Sequence, residues 1–307
     1  MTEPHITWAS WVMVATLGVT WGATFLITEL ALQHWPPFWL AAGRIGFGAV
    51  TMVTIWQALG GRLFAAPPGP RTLGSVLVIG AFSTAIPFML LAWGQQYVTA
   101  GFAGVSMASV GLLVLPLAHF LVPGERLTPR RVLGFAIGFA GVCVLIGGQA
   151  FDTTGSDLEW AGRLACVAAA GCYGLSSVLM RRLPAVDPLG LSTMLLLVAA
   201  AIVFPIALLR EGTPPLPSAT GWAVLMVLGL VPTAAANLLR VLVIRTAGPV
   251  FMSLTNYQVP VWSVLLGAWI LSEPLPPSLL LAMALILAGV ALSQARALAR
   301  LLGVRSG

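Results

Sequence analysis

Ten stretches of roughly twenty apolar residues leave this chain few ways to fold. They lie at about 8–28, 38–59, 73–95, 101–122, 130–147, 160–182, 189–209, 219–243, 249–271 and 278–297. A hydrocarbon layer offers the backbone no hydrogen-bond partners, so stretches of that length must satisfy their own N–H and C=O groups as helices. The links are short and carry prolines, as at Trp35-Pro-Pro37, Pro67-Pro-Gly-Pro70, Pro123-Gly124, Asp187-Pro188, Pro214-Pro-Leu-Pro217 and Pro276-Pro277, and none could hold a soluble domain. Composition agrees: with 59% hydrophobic and 8% charged residues, 307 residues have too little polar surface to cover a water-soluble globule. The first run has no Lys or Arg ahead of it and no small-residue cleavage pattern, so it is read as a span and not a leader. The expectation is an all-α membrane protein of ten transmembrane helices.

A repeat sets how those helices are organised. Glu125-Arg-Leu-Thr-Pro129, ahead of Gly141-Val142, returns about half a chain later as Glu273-Pro-Leu-Pro-Pro277, ahead of Gly289-Val290. In each copy an acidic residue and prolines introduce an apolar helix. Thr99-Ala-Gly101 likewise recurs as Thr246-Ala-Gly248, Gly80 as Gly229, and Trp21-Gly22 as Tyr173-Gly174. The chain is therefore divided into five-helix repeats over 1–147 and 160–307, joined by a linker at 148–159. Five is odd, so the second repeat enters the membrane inverted, which is the plan of secondary transporters with a substrate site between the halves near the midplane. The halves have also diverged. Leu195 stands near the counterpart of Arg44, and Pro116 and Pro260 are a turn out of register.

All 15 basic residues are Arg, scattered singly and in pairs, so the net charge of +6 marks topology and not a nucleic-acid surface. Arg62, Arg71, Arg126, Arg130, Arg131, Arg181, Arg182, Arg245, Arg296, Arg300 and Arg305 fall on one side, against Arg163 and Arg210 on the other. Both termini are then cytoplasmic, with Asp152, Asp157 and Glu159 outside. Cys143, Cys166 and Cys172 lie within apolar runs at spacings that suit neither a disulfide framework nor a metal site, and no cofactor is expected. Neither His-Glu-x-x-His nor Gly-x-Ser-x-Gly occurs, so the chain is not read as an enzyme.

The echoed segments, with the Trp21-Gly22 of the first helix and Arg44 of the second, resemble two EamA-type domains of the drug/metabolite transporter superfamily. Within it the chain looks most like the YddG-type bacterial exporters of aromatic amino acids. The resemblance implies a monomer in the bacterial inner membrane that exports amino acids or similar small metabolites.

Candidate site residues are polar, aromatic or proline residues stranded inside spans. Thr16, Thr20, Thr24 and Thr28 share one face beside Trp21, either as a polar stripe or as threonines bonded back to their own helix. Ser83, Thr84 and Pro87 in the third span match Pro232, Thr233 and Asn237 in the eighth, where the prolines free backbone carbonyls. Asn256, Tyr257 and Pro260 in the ninth follow Ser253 on what helical spacing makes one face. Trp21 and Tyr173 form a pseudo-symmetric aromatic pair. The set is thus Trp21, Thr24, Ser83, Pro87, Tyr173, Thr233, Asn237, Asn256, Tyr257 and Pro260, with core packing as the alternative for each. Nine tryptophans, Trp8, Trp11, Trp35, Trp39, Trp56, Trp93, Trp160, Trp222 and Trp269, read as an interfacial belt. Gly134, Gly138 and Gly141 read as a close-packing face. Arg44, about 9 Å below the outer edge at 1.5 Å per residue, is expected to snorkel or pair with Glu29.

Such a lining offers rings, hydroxyls and amides but no fixed charge, which suits a neutral or zwitterionic metabolite with an apolar or aromatic portion. No Asp or Glu lies mid-span, where each would cost at least about 2.5–3.5 kcal/mol, and His119 sits near a span end. Alternating access without proton coupling is the expected mechanism. Broad drug efflux and lipid scrambling are the alternative readings.

Overall fold

The computed structural model describes residues 6–61, 70–121, 128–147, 157–184, 186–247 and 249–301. Glu125, Asp152, Gly248, Arg62, Arg126, Arg305 and most of the 148–159 linker lie outside them. Among the described residues the fold is all-helical, with no strand. Nine helices among the described residues are long and apolar enough to cross a bilayer: α1 (Trp8–Leu32), α2 (Pro37–Ala58), α3 (Arg71–Gly94), α4 (Ala100–Leu121), α5 (Pro129–Gly147), α6 (Glu159–Met180), α7 (Pro188–Glu211), α8 (Ala219–Ile244) and α11 (Pro277–Ala295). The apolar run at 249–271 is not one continuous helix. It forms a single turn, α9 (Pro249–Met252), and then α10 (Thr255–Ile270), parted at Ser253-Leu254.

Helix starts are capped by the residues that precede them. Thr7 and Ser10 make a reciprocal capping box on α1, Thr99 accepts from Phe102 N at 3.1 Å on α4, and Asp187 accepts from Gly190 N at 2.8 Å on α7. Two starts, those of α2 and α4, are capped from far along the chain. The Glu211 carboxylate accepts from Phe38 N and Trp39 N at 3.0 and 2.9 Å, and the Glu273 carboxylate from Ala100 N and Gly101 N at 2.7 and 3.0 Å. An anion fits a helix N-terminus because its first N–H groups have no helical acceptor. The two clamps gather the α1–α2, α3–α4, α7–α8 and α10–α11 connections at one end of the bundle. Trp35 and Trp39 brace the same end, their indoles donating to Gly221 O at 2.9 Å and Gly212 O at 3.0 Å. Both are buried, so they are interior struts and not part of an interfacial belt, whereas Trp8, Trp11, Trp160, Trp222 and Trp269 are exposed.

Helix pairs form where small residues let backbones meet, which is how apolar helices gain contact in a solvent as apolar as themselves. The principal pairs are α5 with α11, α2 with α7, α10 with α1 and α4, and α6 with α3 and α4. A Cβ placed on Gly289 of α11 would stand 2.5 Å from both Gly134 O and Gly138 N of α5. On Gly22 of α1 it would stand 2.5 Å from the Trp262 Cβ of α10. One apolar core gathers Phe25, Phe102, Leu112, Leu145, Val264 and Ile286, and a second gathers Trp35, Leu40, Ile45, Met52, Leu196 and Leu228.

Two spans are wound more loosely in mid-course. A five-residue π segment, Ala81–Ala85, interrupts α3, and a seven-residue one, Gly229–Ala235, interrupts α8. They follow Gly80 and begin at Gly229, the two glycines that echo one another. In the second, Pro232 has no N–H to give the carbonyl of Leu228. Thr233 Oγ1 donates to that carbonyl instead at 2.9 Å, and itself accepts from Arg44 Nε of α2 at 2.9 Å.

Gly289→Ala is expected to cost about 1–3 kcal/mol through forced backbone separation and to lower the melting temperature of the purified protein. Gly171→Ala, where added carbon meets open space, should leave it unchanged or slightly raised. Thr233→Val leaves the Leu228 carbonyl and Arg44 Nε unmet, with an expected loss of about 1–3 kcal/mol in a thermal-shift assay. Thr233→Ser keeps the hydroxyl and should restore most of that loss.

Candidate functional site

Between the two cores lies a cavity of about 550 Å³, a volume suited to one small metabolite. Helices α1, α2, α3, α4, α6, α7, α8, α9 and α10 all contribute to its wall. Toward the clamped end the wall residues Leu40, Ala41, Leu91, Ala92 and Gln95 are buried. Gln95 also ties α3 to α1, its Nε2 donating to Phe25 O at 3.0 Å. At the other end, where α6 and α8 finish, the wall residues Arg181 and Asn256 are exposed. The cavity is therefore closed at the clamped end and open at the opposite one.

The loosened winding of α8 builds the middle of the wall. Trp21 Nε1 donates to Pro232 O at 3.2 Å, and the Asn237 amide donates to Thr233 O. Thr233, Asn237 and Arg240 lie at i, i+4 and i+7 and all line the cavity. Opposite them Arg44 stacks on Phe88, with the guanidinium carbon 4.1 Å from the ring centroid. Its Nε is held by Thr233, and neither terminal amino group is bonded to the described residues. Arg240 also lacks a partner among them.

Of the residues expected from the sequence, Trp21, Thr24, Ser83, Tyr173, Thr233, Asn237 and Asn256 lie on this wall, and Pro87, Tyr257 and Pro260 do not. Ser253 and Asn256 both line the cavity across the α9–α10 break, with Asn256 N donating to Ser253 O at 3.1 Å. Tyr257, next in sequence, is rotated by about 100° and packs against the apolar core, its hydroxyl buried with no partner among the described residues. Pro87 and Pro260 are buried among packed helices. In α1 both readings of the threonines hold together. Thr24 and Thr28 bond back to Thr20 O and Thr24 O at 3.0 and 2.8 Å and still face the cavity, whereas Thr16 and Thr20 do not.

The expectation of a wall without fixed charge is corrected. Arg44, Arg181 and Arg240 line the cavity, and no Asp or Glu does so among the described residues. Arg44 makes no ion pair with Glu29: its Nε is held by the Thr233 hydroxyl, and Glu29 Oε2 is buried with no hydrogen-bond partner among the described residues. Arg240 is not among the residues expected from the sequence, although its place on the Thr233–Asn237 face is readable there. Gln95, a polar residue inside an apolar run, is readable in the same way, and Thr84, which stands beside Ser83 in the third span, also reaches the wall.

The family model of the EamA-like transporter family matches residues 7–147 and again 160–294. An uncharacterized inner membrane transporter of Escherichia coli, YedA, is 26% identical over 280 residues, covering 90% of this chain and 87% of that one. A protein of Streptantibioticus cattleyicolor, named as a probable terminal-alkyne amino-acid exporter, is 28% identical over 297 residues and 95% of each chain. The protein PagO of Salmonella typhimurium is 28% identical over 159 residues, a match spanning about half the length of either chain, 52% and 50%. One solved crystal structure superposes with a TM-score of 0.66 at 25% identity, covering 94% of this chain and 98% of the other. With both halves matched and a multi-pass helical fold around a central cavity, this chain belongs to the EamA-like transporter family.

Proposed function

We propose that this protein exports amino acids or closely similar metabolites across the bacterial inner membrane by alternating access, as ten crossings in two inverted five-helix repeats. The observation that carries the reading is the cavity, which lies between the two halves, is closed at one end and open at the other, and has the volume of a single small metabolite. The name of the Streptantibioticus relative supports the substrate class. Ten crossings are supported by the clamps. Glu211 and Glu273 both meet helix starts at the same end, so the chain between them must cross out and back. The first passage is α8, and α9 with α10 makes the return. The second repeat then begins at the end opposite to the first, as inversion requires.

With the Arg-rich connections cytoplasmic, the cavity opens toward the cytoplasm, which suits an exporter loading its substrate. Arg163 supports that assignment although it lies on the Arg-poor side. It pairs with Glu159 and donates to Ile146 O at 2.8 Å, so its charge is spent inside the fold. His119 is exposed and off the cavity wall, which supports transport down the substrate's own gradient without proton coupling through it.

Orientation is tested by cysteine labelling in a background lacking Cys143, Cys166 and Cys172. Cysteine at Leu216, which is 95% exposed, should react with an impermeant maleimide from the periplasm, and cysteine at Leu59 should not. The reverse pattern would overturn the topology. Transport is tested by counterflow of radiolabelled amino acids in proteoliposomes. A neutral amino acid should equilibrate without an imposed pH gradient or voltage, His119→Ala should keep that flux, and Asn256→Ala should lower it severalfold while protein stays in the membrane. Accumulation that needs a proton gradient and is lost in His119→Ala would disprove the uncoupled mechanism.

A further inference from the structure

The guanidinium of Arg44 is fixed in place and has spare donors. Thr233 takes Nε, Phe88 fixes the plane, and the two terminal amino groups remain for whatever enters the cavity. A planar guanidinium fork reads a carboxylate through paired, charge-assisted hydrogen bonds. An arginine inside a membrane span is costly unless something answers its charge, and no acidic side chain does so among the described wall residues. The same lack leaves a substrate's ammonium group without a counter-ion. Arg240 stands two helical turns along α8 from Thr233, about 10 Å at 1.5 Å per residue, toward the open end, with Arg181 beyond it. Low-dielectric walls carrying charge of one sign concentrate ligands of the other. Trp21, Phe25, Leu91, Met107 and Val259 complete an apolar and aromatic surround.

We propose that Arg44 binds the carboxylate of the transported molecule and that the cavity demands this group while leaving the amino group unread. Its substrates are then carboxylic acids with an apolar or aromatic portion, either zwitterionic or fully anionic. The inference rests on the cavity being the transport site, and it narrows the substrate class within that reading. It also assigns roles along the path, with Arg240 drawing the anion inward and Arg44 holding it at the centre.

The test compares phenylalanine and leucine with their N-acetyl derivatives and their carboxamides, by binding to purified protein and by counterflow in proteoliposomes. The amides lack the carboxylate and should bind about tenfold to a hundredfold more weakly than the parent acids. The N-acetyl acids lack the ammonium and should bind comparably to the parents. In Arg44→Gln the preference for acid over amide should disappear, and Arg44→Lys, which keeps the charge without the fork, should restore part of it. The ligand series on the wild-type protein stands even where a variant fails to fold. Amides that bind and cross as well as the acids would overturn the carboxylate site and leave the transport reading intact. N-acetyl acids that fail alongside the amides would overturn the claim that the amine is unread. A protein that carries none of these compounds would remove the transport reading and this inference with it.

Discussion

A polar backbone group inside a bilayer has no water to turn to, and the rest of this structure depends on that constraint. It makes the chain helical and requires every interruption of a helix to be answered by another group. The interruption in α8 is answered by a hydroxyl and an indole that meet backbone carbonyls, and the hydroxyl in turn holds a guanidinium. The polar centre of the cavity is in this sense a repair. Groups recruited to satisfy stranded carbonyls are the groups that then face the space between the halves.

Much of the fold could be read from the chain because length and composition alone decide whether a segment can cross. Observed helices such as Pro37–Ala58 and Pro129–Gly147 begin and end within about two residues of the apolar runs, inside the usual uncertainty of helix ends. The run at 249–271 was legible only in part. Hydropathy registers its apolar content but not the backbone turn at Ser253-Leu254, which splits it. For the cavity, residue type was the readable part and facing was not. Seven of the expected residues reach the wall, and the three that miss it, Pro87, Tyr257 and Pro260, are as polar or helix-breaking as those that do. Arg44 was read through its own helix, where a cation near a span end snorkels by default. Its partner Thr233 lies in the other half of the chain, and no local pattern announces such a contact. Trp35 and Trp39 illustrate the same limit, since their acceptors lie far along the chain, at the start of α8 and in the α7–α8 connection.

The echoed motifs acquire separate physical duties. In Trp21-Gly22 the indole meets the loosened carbonyl of Pro232 while the glycine admits Trp262 of α10. In Tyr173-Gly174 the ring reaches the cavity from the other half while the glycine faces Leu113 and Leu117 of α4. Gly80 and Gly229 lie against α7 and α2 where the two π segments begin. A repeated pair of one aromatic and one small residue can thus place a wall group and a close contact side by side. Divergence enters where the pair is not strictly repeated, as with Arg44 on one side of the cavity and Leu195 on the other.

The carboxylates of Glu211 and Glu273 each hold two N–H groups at the start of a helix in the opposite half. Parting the halves at that end must release both, because each anion and each helix start loses its partner as soon as the gap exceeds a hydrogen-bond length. A gap too narrow to admit water leaves all of these groups unmet, so the intermediate positions are the unfavourable ones. In the alternating-access cycle proposed for this protein, that end would act as a snap fastener, either shut or fully parted, with the two carboxylates as its catches.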